Sequence, residues 1–192
     1  MLAQPYSERE LREIAEGYLH HEVLTLCGQV RELREWTTSG ALRMPMHDAL
    51  LEAPLVHFLV LDDFLGSPPF VVRGDVGAQH YFPGRSPAPV LTRQERQELE
   101  AQLRLGRLRR PLTEWDYDDI TGRLCEAFAG FAQGLDRHPE PSVRRRGKWF
   151  EEASRVAHAF ELEVRTGTLV ISLCDDAQAA PASPSEALPG RR

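Results

Sequence analysis

The chain has 192 residues, 42% of them hydrophobic, a formal net charge of −6 and three cysteines. That length fits one domain, and the apolar content excludes global disorder. The acidic balance argues against general nucleic-acid binding and leaves a local basic patch as the electrostatic route to phosphate.

The opening MLAQPYSERELREIAEGY becomes charged at once and holds no signal-peptide apolar segment. Ser7 and Glu10 stand in capping-box register. From there Leu11, Ile14, Ala15, Tyr18, Leu19, Val23, Leu26, Cys27, Val30 and Leu33 form one helical stripe. The spacing predicts a helix over about 7–36, ended by Thr37–Gly40.

A second helix is expected over 46–65, with Pro54 as its awkward point: either a kink, or a regular part that starts near Ala53. Apolar residues lie around most of it, which predicts a largely buried helix. Residues 66–91 combine Gly66, Gly74, Gly77 and Gly84 with five prolines. They read as a loop excursion packed down by residues such as Tyr81 and Phe82, and their glycines do not form a phosphate loop.

Thr92 and Glu95 make a second capping box before the charged run RQERQELEAQLRLGRLRR, which Pro111 ends. Ile120, Leu124, Ala127, Phe128, Phe131 and Leu135 predict a helix over about 116–135. Trp149, Phe150, Ala153, Val156, Ala157, Phe160 and Val164 predict a last one over 143–165. TLVISLC then suits a short strand or packed extension, and DDAQAAPASPSEALPGRR has little to bury and reads as a disordered tail. The fold class expected is all-α: a four- to five-helix bundle over 1–174, with a Pro/Gly-rich excursion and a flexible tail over 175–192.

LLEAPLVHFLVLDDFLG, from Leu50 to Gly66, sets Glu52, His57, Asp62 and Asp63 in an apolar run. Glu52 and His57 are five residues apart, about 140° around a helix, so they do not face each other as an HExxH zinc pair does. A buried carboxylate or imidazole needs a partner, and Glu52, His57 and Asp63 are therefore read as polar anchors between helices or as an altered reactive site. No metal and no cofactor is expected.

Two basic clusters are candidates for phosphate: Arg107, Arg109 and Arg110, and then Arg144, Arg145, Arg146 and Lys148. The first suits the negative end of a helix. The second, taken as the start of the last helix, opposes its dipole, which makes it the more suggestive of the two. Cys27, Cys125 and Cys174 have no CxxC or metal-knuckle spacing, and their odd number predicts reduced thiols in a cytoplasmic protein, with Cys125 an inert buried thiol.

The Leu50–Gly66 segment resembles a motif of small bacterial helical proteins related loosely to the HEPN-like group. Glu52, His57 and Asp63–Phe64 take the positions of its glutamate, histidine and Asp-Phe pair. RLGRLRRPLTEW resembles the second motif, with Trp115 as its aromatic residue, and the likeness spans roughly 10–165. It implies a helical fold and, in the ribonuclease members, an RxxxxH arrangement near the RNA phosphate. Here Leu59 stands where an arginine is expected, and no arginine in 104–110 has a histidine five residues later. Arg155 and His158 have the wrong interval.

Without that imidazole and guanidinium together, proton transfer and phosphate stabilisation have no assembled machinery. The leading expectation is a non-enzymatic protein that acts by self-association or partner binding, a homodimer if an apolar helix face stays exposed. The alternatives are an RNA-binding protein or ribonuclease with an altered site, and a bundle that binds a small molecule beneath Tyr81 and Phe82.

Overall fold

The computed structural model describes residues 6–39, 46–66, 76–84, 88–105 and 111–167, and among these there is no strand. The tail, the TLVISLC segment, and Arg107, Arg109 and Arg110 lie outside the described residues. The helices are α1 (Glu8–Glu13), a π-helical segment (Ile14–Leu19), α2 (His20–Ser39), α3 (Met46–Gly66), α4 (Arg93–Leu105), α5 (Tyr117–Asp136), α6 (Pro141–Gly147) and α7 (Glu151–Thr166). No helix among the described residues is long and apolar enough to cross a membrane.

Both capping boxes form. Ser7 Oγ accepts from the Glu10 amide at 3.2 Å while Glu10 accepts from the Ser7 amide at 2.7 Å. Thr92 and Glu95 repeat the arrangement at 3.2 and 2.7 Å. The first predicted helix is present from Glu8 to Ser39, but the π-helical segment at Ile14–Leu19 replaces a stretch expected to be α. α3 continues as one helix across Pro54, whose missing N–H leaves the Leu50 carbonyl without its helical donor.

The predicted last helix divides. α6 starts with Pro141 in its first turn, where proline is pre-organised. A 3-10 turn at Lys148–Phe150 separates it from α7, and Gly167, at φ +64°, ends α7.

Four long helices make the bundle. Ile14–Leu19 packs at Lys148–Phe150 while Arg31 meets Glu163, so α2 and α7 run the same way. Tyr117 meets Leu51 while Phe128 and Phe131 meet Phe64, so α3 and α5 run together, opposite to the first pair. The excursion and α4 supply the long crossover that two successive parallel helices require.

The core is continuous along this bundle, and Leu11, Leu26, Leu55, Phe58, Leu99, Leu124 and Phe160 are fully buried in it. One end is aromatic. Phe64, Tyr81, Phe131 and Phe150 meet largely edge to face, with Tyr81 and Phe150 centroids 4.9 Å apart. Tyr81 is completely buried and its hydroxyl donates to the Leu11 carbonyl at 2.8 Å. It fills the core at this end of the bundle.

Candidate functional site

α3 is apolar on both sides. Inward it buries Leu51, Leu55, Phe58, Leu61, Phe64 and Leu65. Outward it carries Ala49, Ala53, Val56 and Val60, at alternating spacings of four, three and four, the register of a coiled-coil seam. Ala49 is exposed, Ala53 and Val60 are half-buried, and Val56 is 47% exposed. Glu52 and Asp63 are exposed along one border of this stripe.

The other border is polar and tied down. His57 is only half-buried, and its Nδ1 lies 2.5 Å from Glu22 Oε2 on α2. A carboxylate only accepts, so Nδ1 carries the proton in this bond. Tyr18, 53% exposed one turn before Glu22, completes the chain. Burial, then the charge of Glu22 and a hydrogen bond to it, raise the Tyr18 hydroxyl above its ordinary pKa. His57 is thus an anchor between α2 and α3, while Glu52 stands apart from it on the opposite border.

Asp63 is not the buried anchor of the acidic pair; Asp62 is. Asp62 is fully buried on the inner side of α3, and its Oδ1 accepts from the amides of Val90 (2.6 Å) and Leu91 (2.9 Å). Its Oδ2 accepts from Arg96 Nη1 on α4 at 2.7 Å. Asp63 is exposed and takes the other terminal nitrogen of the same guanidinium. One arginine therefore clamps α4 onto the end of α3.

The basic cluster also parts company. Arg144, Arg145 and Arg146 sit in the last turn of the short α6, where positive charge suits the helix dipole, so the expected electrostatic mismatch is absent. Arg146 is buried: its Nε donates to Glu8 at 3.0 Å and its Nη1 to the carbonyls of His80 (3.0 Å) and Tyr81 (3.2 Å). Its guanidinium is committed to the fold and is not presented to a phosphate. Arg144 donates to the carbonyls of His138 and Pro139, both at 2.8 Å. Arg145 and Lys148 are exposed beside it.

Among the described residues, His57, Asp63 and Arg146 are therefore not gathered in one cleft. They stand on three seams: α2 with α3, α3 with α4, and α6 with α1. Among the described residues no group of His, Cys, Asp and Glu has the geometry to hold a metal.

Two polar features lie deeper. Glu163 of α7, with its side chain fully buried, takes a two-point bond from Arg31 of α2 at 2.6 and 2.9 Å. Beside it Arg34 reaches Asp118 at 2.6 Å and lies 4.9 Å from the Phe160 ring centroid. Arg34 and Asp118 border an open groove of about 510 Å³ between the end of α2 and the start of α5, lined also by Thr37, Trp115 and Asp116. Within it Arg34 is paired with Asp118, and Asp116 accepts from the Asp119 amide at 3.0 Å.

Comparison with protein-family models, curated proteins and solved structures found no match for this chain.

Glu22, Asp62 and Glu163 are the polar residues that sequence reasoning did not assign as anchors. Each carries one available signal, a charge on the core-facing stripe of its helix: Glu22 between Leu19 and Leu26, Asp62 between Phe58 and Leu65, Glu163 after Phe160. A charge in that register requires a buried partner.

Proposed function

We propose that the chain acts without catalysis, by pairing with a second copy of itself through the outer face of α3. The observation that carries this reading is the apolar stripe of Ala49, Ala53, Val56 and Val60 on a helix whose opposite side already fills the core. Among the outward residues of the neighbouring helices are Glu32 and Glu35 on α2, where Leu24 is also exposed, and Asp119 and Glu126 on α5.

Small side chains in alternating three- and four-residue spacing let two helices approach closely and interdigitate. The rim fits an interface as well. Glu52 and Asp63 on one side and the Tyr18–Glu22–His57 chain on the other would surround the apolar stripe with polar groups. Because one patch serves both copies, the contact closes as a two-fold dimer. His57 holds α3 in place against α2 and so fixes the face that is presented. A cytoplasmic setting accords with this reading, since Cys27 and Cys125 lie side by side as thiols.

Replacement of Val56 by Glu tests it. A charge at the centre of the stripe disrupts the pairing but touches no core contact, so the variant is expected to keep its helical circular dichroism and sediment as a monomer. An unchanged assembly state for Val56→Glu would remove α3 as the interface.

A further inference from the structure

Cys27 and Cys125 lie on α2 and α5, which face each other across the diagonal of the bundle. They are 98 positions apart in sequence, yet their sulfur atoms are 3.6 Å apart, and both side chains are buried among Leu26, Val30, Leu124 and Phe128. A disulfide bond is about 2.05 Å long, so the sulfurs need to close by about 1.6 Å, a movement shared between two side chains.

We propose that this pair is an oxidative modification site, a dithiol that a small peroxide converts into a disulfide stapling α2 to α5. Hydrogen peroxide first oxidises one thiol: its O–O bond breaks, a sulfur–oxygen bond forms, and one water leaves with a sulfenic acid behind. The second sulfur then attacks that sulfenic sulfur, the S–OH bond breaks, the S–S bond forms and a second water leaves. Two thiols lose two protons and two electrons in all, and one peroxide becomes two waters.

The surroundings choose the oxidant. Both thiols are out of contact with solvent, which shuts out glutathione-sized disulfides and leaves a small neutral molecule able to enter through local opening of the helices. The shared hydrogen bond with Cys27, followed by burial, pushes the Cys125 thiol well above its ordinary pKa; Arg31 opposes the rise and its partner Glu163 adds to it. The resting state is therefore a pair of neutral thiols, and the reaction quickens as pH rises. Once formed, the bond closes a long loop of the chain and stabilises the bundle chiefly by restricting its unfolded state.

The experiment uses the full chain carrying Cys174→Ser, which retains both core cysteines. The folded protein is treated with hydrogen peroxide, quenched, unfolded in iodoacetamide and analysed by intact mass and peptide mapping. The expected result is a mass lower by two hydrogens than that of the untreated protein before alkylation, a linked pair of peptides containing Cys27 and Cys125, and no alkylation at either. The oxidised form should also melt about 5–10 °C higher. Cys125→Ser in the same background should give no linked peptides.

The proposal is overturned if Cys27 and Cys125 both remain fully alkylated after treatment. It is equally overturned if they gain oxygen separately as sulfinic acids, or if the only disulfide joins two chains. An oxidised form that melts no higher than the reduced one would overturn the staple.

Discussion

The imidazole of His57 and the carboxylate of Glu22 meet at 2.5 Å, joining the half-buried edge of α3 to α2 beside an exposed stripe of Ala49, Ala53, Val56 and Val60. The contact ties α3 to α2 beside the face proposed for pairing. A double-mutant cycle with Glu22→Ala and His57→Ala, followed by urea unfolding, should give a coupling of about 1.5–3 kcal/mol, the range for a hydrogen bond to a charged group. Additive effects of the two substitutions would show that the side chains act independently.

Asp62 should be the most sensitive polar residue in the chain. It alone satisfies two backbone amides and the inner nitrogen of Arg96. Asp62→Ala strands all three donors and should cost about 3 kcal/mol, lowering Tm by roughly 9 °C. Asp62→Asn keeps an acceptor for the amides and should cost distinctly less. Calorimetry of the two variants checks the order; equal losses would mean that the charge pair with Arg96 carries all of the effect.

Gly147 marks the closest approach of α6 to α5. A β-carbon there would lie 2.9 Å from Asp136 Cγ and 3.1 Å from the Asp136 amide nitrogen. The side chain can rotate away but the backbone cannot. Gly147→Ala should therefore destabilise by about 2 kcal/mol, as overpacking does, and Asp136→Ala should recover only part of that. Full recovery in the double variant would locate the whole clash in the Asp136 side chain.

Asp136 itself gives a pH prediction. Burial, then the charge of Glu151, raises its carboxyl above the ordinary 3.8, with Lys148 opposing. The folded state thus holds this proton more tightly than the unfolded chain, so ionisation of Asp136 weakens the fold as pH rises through that interval. Asp136→Asn should be more stable than the parent at neutral pH by on the order of a few tenths of a kcal/mol, because solvent screens the group. The difference should vanish as pH falls below the ordinary aspartate value. Thermal melts of both proteins between pH 3 and 7 would reveal a parallel offset at every pH if ionisation were not the cause.

What could be read in advance follows the range of each interaction. Ser7–Glu10 and Thr92–Glu95 are local, three residues apart, and both caps form as their spacing dictates. The long apolar stripes likewise produce α2, α3, α5 and α7. The division of 141–166 into α6 and α7 was hidden because Arg144, Arg145 and Arg146 continue a helical pattern without a break. That division reverses the electrostatic meaning of the cluster by placing it at a helix end. The partner of His57 was hidden for another reason. Glu22 is 35 positions away, and only the register between α2 and α3 brings it there. The meeting of Cys27 and Cys125 depends in the same way on the order of the helices around the bundle. Sequence periodicity shows which face of a helix is apolar; it does not show which helix covers that face.

Pairing of α3 with α3 of a second copy is the proposed interaction on which the rest depends. The direct measurement is the mass of the full chain in solution by light scattering, over a range of concentrations, with Val56→Glu measured in parallel. Pairing through α3 predicts twice the 21.7 kDa of one chain for the parent and a folded monomer for the variant. A parent that stays at 21.7 kDa at every concentration would contradict it, and so would a variant that still pairs.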